Sequence, residues 1–157
     1  GIIAEDINYK DLLFDAIKLE TKHLKINFKL PNKEFYFTNN PIIKFKISLS
    51  QNSLKTVLLC KTWNWIGSMI SKEILNQEKL EDLKIINDKL LMKSSKKDIS
   101  INQVEQINIK TEKGKVYLVN KAYNKMIQIP IEDKIFIEYI YIEKNLINII
   151  ANSFISF

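Results

Sequence analysis

The chain reads as a mainly β protein, an antiparallel β-sandwich with a short N-terminal helix and a helical insertion at about residues 62–92. Two ribbons and the composition carry that expectation. Between Ile43 and Ser50, the apolar Ile43, Phe45, Ile47 and Leu49 alternate with Lys44, Lys46, Ser48 and Ser50. A period of two places the first set on one face of a pleated strand and the second set on the other. Leu24, Ile26, Phe28 and Leu30 repeat the pattern against Lys25, Asn27 and Lys29. Phe and Ile suit the half-buried surface of a sheet, and two such ribbons imply antiparallel pairing with one dry face and one wet. With 157 residues, 46% hydrophobic and 27% charged, the chain has the length and composition of one globular domain, spanning 1–157. An α+β arrangement, one antiparallel sheet with the helices on its dry face, accounts for the middle region equally well.

Taken in order, Gly1-Ile2-Ile3-Ala4 followed by the acidic Glu5-Asp6 reads as the remnant of a cleaved secretory signal. Asp11 to Glu20 then reads as a short helix, because Leu12, Leu13, Ala16 and Ile17 recur at helical spacing behind a possible Asp6 or Asn8 cap. A strand covers His23 to Leu30, Pro31-Asn32-Lys33 breaks it, Glu34 to Phe37 is extended, and Thr38-Asn39-Asn40-Pro41 turns the chain. After the strand at 42–50 and a turn at Gln51-Asn52-Ser53, Leu54 to Cys60 reads as a third, central strand running on toward Trp63 and Trp65.

From Ile66 to Met92, Ile70, Ile74, Leu75, Leu80, Leu83, Ile86, Leu90 and Leu91 fit a 3.6-residue stripe, which predicts one or two helices. Ser94 to Asp98 is expected as a solvated loop. Strands return at Ile99 to Lys110, Val116 to Val119, 126–131 (at an edge, since Pro130 has no N–H to donate), Ile135 to Ile142 and Leu146 to Phe157. Glu112-Lys113-Gly114 makes a hairpin-like turn. In the strand from Ile135, the residues Ile135, Ile137, Tyr139 and Tyr141 form one row, with Phe136, Ile140 and Ile142 in the other.

Charge narrows the function classes. The chain carries +6, and all 24 basic residues are Lys. Recognition of phosphates and guanine edges is chiefly the work of the planar Arg fork. Abundant Lys, Ile and Asn also follow from A/T-rich codons, so the charge argues only weakly for a nucleic-acid partner; lysines can still make a nonspecific contact with an anionic surface. No apolar run approaches the roughly 18 residues of a membrane-spanning helix.

Catalysis requires convergent polar groups, and few are offered. His23, the single histidine, falls with Lys25 and Asn27 on a polar strand face. Cys60, the single cysteine, sits in an apolar run as a small hydrophobe. Neither Ser68 nor Cys60 has a nucleophile's context, one Cys and one His are not a zinc cluster, and three glycines cannot write a phosphate loop. The pairs Glu5-Asp6, Glu81-Asp82 and Glu132-Asp133 read as solvated charge. No catalytic residue, metal or cofactor is therefore assigned. The candidate interface residues are aromatic: Trp63, Trp65, Phe35 and Tyr36, anchors of the kind that dominate protein interfaces when exposed and core filling when not. Lysines interleaved with aromatics, as in Lys44-Phe45-Lys46, point to the opposite face of a strand, which defeats a base-stacking platform.

The run Phe35 to Leu49 resembles the first two strands of bacterial extracytoplasmic immunoglobulin-like domains, and Lys134 to Ile142 with Ala151 to Phe157 is similar to their last two. The likeness is one of strand pattern over about half the chain, without the family's Cys–Trp–Cys core. It implies a non-catalytic binding or assembly module of the cell envelope, exported and engaging a protein partner, with a cytoplasmic location as the alternative. The rival function is a lysine-mediated binder of nucleic acid or another anionic polymer or surface.

Overall fold

The computed structural model describes residues 2–9, 12–21, 26–29, 34–37, 42–61, 63–96 and 99–154, and among them the side chains of 15–18, 20, 42–61, 63–96 and 103–153. The first half of the chain forms β1 (Ile2–Tyr9), β2 (Leu12–Thr21), β3 (Ile26–Lys29), β4 (Glu34–Phe37), β5 (Ile42–Leu49), α1 (Gln51–Leu59) and α2 (Asn64–Ile74). The second half is all strand: β6 (Lys79–Ile86), β7 (Lys89–Lys96), β8 (Ile99–Glu112), β9 (Lys115–Asn120), β10 (Lys125–Gln128), β11 (Ile135–Glu143) and β12 (Leu146–Phe154). The protein is mainly β, with two five-stranded antiparallel sheets, and β3 and β4 pair as a separate small hairpin.

The first sheet has the order β1-β2-β5-β12-β11. The alternation at 43–50 behaves as its side chains dictate: Ile43, Phe45 and Ile47 turn inward and Leu49 is buried, while Lys44 and Lys46 are exposed. Register carries this row across the sheet, placing Ile17, Ile47, Ile149 and Ile140 side by side on four strands. The second sheet, β10-β9-β8-β7-β6, is a meander in which every strand lies beside its chain neighbour. Its hairpins at Asn87-Asp88 and Lys113-Gly114, like Lys144-Asn145 in the first sheet, turn on two consecutive residues with positive φ. That is the two-residue geometry whose twist matches the flanking strands.

Four expectations are corrected. Residues 12–21 form a strand, not a helix: they pair with β1 on one side and β5 on the other, and those ladders override the local spacing. Leu54 to Leu59 is helical, not a strand; Leu54, Val57 and Leu58 follow a three-and-four spacing, and the Ser50 hydroxyl caps the helix by accepting from the Ser53 N–H at 3.3 Å. The helical insertion at 62–92 is a helix only to Ile74, and 79–96 is the β6–β7 hairpin. There the register slips between Leu80 and Asp82, so Leu80 and Leu83 both face inward three residues apart and imitate a helical stripe. Ser94 to Lys96, read as loop, complete β7, and Ser94 is buried.

A second bulge, at Glu138, splits the row read through β11. Ile135 and Ile137 point inward before it and Ile140 and Ile142 after it, while Phe136, Tyr139 and Tyr141 are exposed. The turn at 38–41 and the strand residues His23, Leu24, Lys25 and Leu30 lie outside the described residues, as do 97–98 and 155–157.

The inward rows of both sheets and the apolar stripes of α1 and α2 form a main core cluster, and Val116, Ile137 and Ala151 form a smaller one joined to it through half-buried Ile109, Ile129, Ile140 and Ile149. Ile70, Ile74, Leu75, Leu83, Leu90, Met92 and Ile107 are almost wholly buried in the main cluster. Gly67 lets the helices close: a Cβ there would meet the Leu58 carbonyl oxygen at 2.5 Å. Three seams join the sheets. The Ile137 N–H donates to the Gly114 carbonyl at 2.9 Å. The Asn145 N–H donates to Asp88 Oδ1 at 2.7 Å, and the Asp88 N–H donates back to Asn145 Oδ1 at 3.2 Å. On the remaining side α1 touches both sheets: the Ser53 hydroxyl donates to Asp15 of β2 at 2.8 Å, while Gln51 Oε1 accepts from the Ile85 N–H of β6 at 2.9 Å and Lys55 pairs with Asp82 at 2.6 Å.

Candidate functional site

Where the two sheets and both helices converge, the core does not close completely. A cleft of about 180 Å³ remains, floored by Leu90, Met92, Ile109, Val116 and Leu118 of the meander and by Leu49, Ile140, Ile147 and Ile149 of the other sheet. Leu54, Val57, Leu58, Ile66 and Ile70 of the helices cover it, and Ile129 and Ile131, after β10, complete the wall. Every lining side chain is aliphatic or methionine. The half-buried members, among them Leu54, Val57, Ile66, Ile131 and Ile140, set its opening toward the surface.

The chemistry of such a lining is restrictive. A polar ligand atom inside would forfeit its hydrogen bonds to water without replacement, and apolar cavities of this size stay dry and accept apolar guests. With no ring in the wall, aromatic stacking plays no part. An alkyl chain satisfies these walls, gaining roughly 0.8 kcal/mol for each methylene removed from water.

Polar groups lie outside the cleft. The Asp15 carboxylate of β2 accepts from the Ser50 N–H at 2.6 Å and from the Ser53 hydroxyl at 2.8 Å, holding the start of α1 against the first sheet. Burial pushes the Asp15 carboxyl up, but the hydrogen bonds from Ser50 and Ser53 outweigh it and leave the group below its usual range. Gln77, Gln103, Glu105 and Tyr123 form a side-chain network at one end of the meander, with Gln77 Nε2 donating to Gln103 Oε1 at 2.8 Å. Asn120, fully buried, donates to the Ile74 carbonyl at 3.0 Å and so fixes the end of α2 on β9. These contacts are between protein groups and position elements. Among the described residues no group of three His, Cys, Asp or Glu side chains could hold a metal ion, and no helix is long and apolar enough to cross a membrane.

Of the aromatic residues singled out from the sequence, Trp63 and Trp65 have described side chains. Trp63 is the half-buried residue just before α2, and Trp65, 48% exposed, lies in the first turn of that helix, so the two do not share a strand face. Phe35 and Tyr36 fall in β4, paired with Phe28 and Asn27, and their side chains lie outside the described set. His23 also lies outside it. Cys60 is half-buried at the end of α1, not fully enclosed. The exposed aromatic row is instead Phe136, Tyr139 and Tyr141 on β11. The inward rows were legible as rows of isoleucine and leucine, but nothing in a row signals the gap between two of them. Comparison with family models, with curated proteins and with solved structures finds no match for this chain.

Proposed function

We propose that the protein is a non-catalytic binding module that takes an alkyl chain into the cleft between its sheets. The observation that carries this reading is the lining: sixteen side chains from both sheets, both helices and the β10–β11 connection, all aliphatic or methionine. A volume near 180 Å³ lies below the roughly 300–1,000 Å³ of drug-sized pockets, so it suits a chain end better than a ring system. The test is titration with N-undecyl dansylamide, whose free methyl end can enter while the dansyl group stays at the mouth. Saturable binding with a blue-shifted emission is expected, abolished by Leu118→Trp, which fills the cleft, with the far-ultraviolet circular dichroism unchanged. Absent or non-saturable binding, or undiminished binding by a folded Leu118→Trp protein, overturns it.

A second reading is an exported assembly module of the cell envelope that engages a protein partner, in keeping with the immunoglobulin-like strand pattern. One observation favours it: Phe136, Tyr139 and Tyr141 are 50%, 64% and 37% exposed on one strand, and exposed aromatic clusters are what interface hot spots are made of. Crosslinking from a photoreactive residue placed at Tyr139 distinguishes it from the first reading. A discrete protein adduct supports it, and none removes it.

A further inference from the structure

We infer that the outer face of the meander docks on an anionic phospholipid bilayer. Strand register assigns the face: Lys84 pairs with Leu91, Ile86 with Lys89, Lys93 with Val104 and Lys110 with Tyr117, while the intervening Ile85, Leu90, Met92 and Leu118 turn to the core. Among the described residues, Lys84, Lys89, Lys93 and Lys121 have no carboxylate within ion-pair distance. The acids of this face are already engaged. Glu81 accepts from the Ser95 hydroxyl at 2.6 Å and pairs with Lys79, Asp82 pairs with Lys55, and Glu112 pairs with Lys110 at 3.4 Å.

Toward the β10 edge, Lys121, unpaired among the described residues, borders an open concavity of about 590 Å³ together with the side-chain amides of Asn108 and Asn124; Lys110, paired with Glu112, and Lys125, donating to Asn76 Oδ1, stand at its rim. This arrangement of ammonium and amide donors suits a headgroup phosphate. On the outer face of the first sheet Lys18 and Lys44 are paired with Glu20 and Glu138, and Lys46 stands without an ion pair among the described residues, against four such lysines on the meander.

A bilayer, rather than a nucleic acid, is the surface these groups complement. Ile86, Val104 and Met126 stand 45%, 58% and 51% exposed among the lysines, and a bilayer interface accepts apolar side chains and ammonium groups together. Nucleic acid rewards Arg forks and stacking rings. The chain has no Arg, and the ring on this part of the face, Tyr117, has the Lys110 ammonium 5.8 Å from its centroid. This docking face lies on the opposite side of the meander from the alkyl cleft and does not depend on it.

The test is cosedimentation with phosphatidylcholine vesicles with and without phosphatidylglycerol. Binding is expected only with phosphatidylglycerol, weakening steeply as salt rises. The K84Q/K89Q/K93Q/K121Q variant is expected to lose about five-fold in partitioning per lysine removed, while keeping its circular dichroism and its undecyl-dansylamide signal. Leu118→Trp is expected to bind vesicles as the parent does. The inference is overturned by equal partitioning to neutral vesicles, by an unaffected quadruple variant, by loss of vesicle binding in folded Leu118→Trp, or by a single-stranded oligonucleotide that binds while anionic vesicles do not.

Discussion

The meander and its partner sheet have five strands each and reach that number by opposite routes. Every pairing of the meander is made between chain neighbours within 79–128. In the partner sheet β5 pairs with β12, so Ile47 faces Ile149 across about a hundred intervening residues. Local pairings close short loops, while non-local ones cost more entropy before any contact repays it. Burial follows the same division: the meander and α2 hold most of the almost wholly buried side chains, whereas Ile17, Phe45, Ile47 and Ile149 of the partner sheet are half-buried. The dense part of the core thus belongs to the locally built sheet, while the cleft lies between the two sheets and is lined by both.

Core truncation tests that division most strongly. Leu90, 1% exposed, is expected to cost about 2–5 kcal/mol as Leu90→Ala, and half-buried Ile47 distinctly less as Ile47→Ala. Equal losses in urea denaturation would erase the contrast. Gly114→Ala attacks a seam between the sheets: φ at this residue is +76°, and an added Cβ would run into the Phe136 ring beside the Ile137 N–H bond. Backbone strain alone costs about 1–3 kcal/mol. Hydrogen exchange at Ile137 is expected to rise with it, and a protein as stable and as protected as the parent would mean the seam is incidental.

Asp15 ties α1 to the partner sheet, and Asp15→Asn is expected to lose about 1–2 kcal/mol at neutral pH. Because the native carboxyl titrates below its unfolded value of about 3.9, its contribution is full above that value and fades as pH falls through the lower native one. The Asn variant should therefore converge with the parent in strong acid, and a gap that persists unchanged there assigns the effect to packing. Smallest is Asp88→Ala at the turn-to-turn contact, about 0.5–1.5 kcal/mol by thermal or urea unfolding. No change would place the strength of the union in α1 and the Gly114 seam.

Much of this architecture was legible where the alternation was unbroken. Residues 42–49, 107–110, 116–119 and 146–153 each carry a dry row and a wet row, and each forms the strand its pattern predicts. Readings failed where the period of two was interrupted or outvoted. The bulge between Leu80 and Asp82 gave a hairpin the spacing of a helix, although Asn87-Asp88 was a turn signal in plain view. The bulge at Glu138 exchanged the two faces of β11 midway. In 12–21 no local feature announced a strand, since its partners β1 and β5 supplied the stability. In 51–59 the serine cap and the spacing of Leu54, Val57 and Leu58 were present but read as a continuing strand. Among the aromatic candidates, Trp65 is exposed on a helix, a placement that the strand reading of 54–65 concealed.

By itself the sequence determined which side of each regular strand is dry, because hydration acts on each side chain singly and alternation records the result. It also determined the excess of lysine and the absence of arginine. Only the tertiary structure decided that two dry faces meet under two helices with an aliphatic space between them, and that Lys84, Lys89, Lys93 and Lys121 gather on the outer face of the meander. Both are distances between segments far apart in the chain, set by bulges, turns and the close contact at Gly67, and no local pattern encodes a distance of that kind.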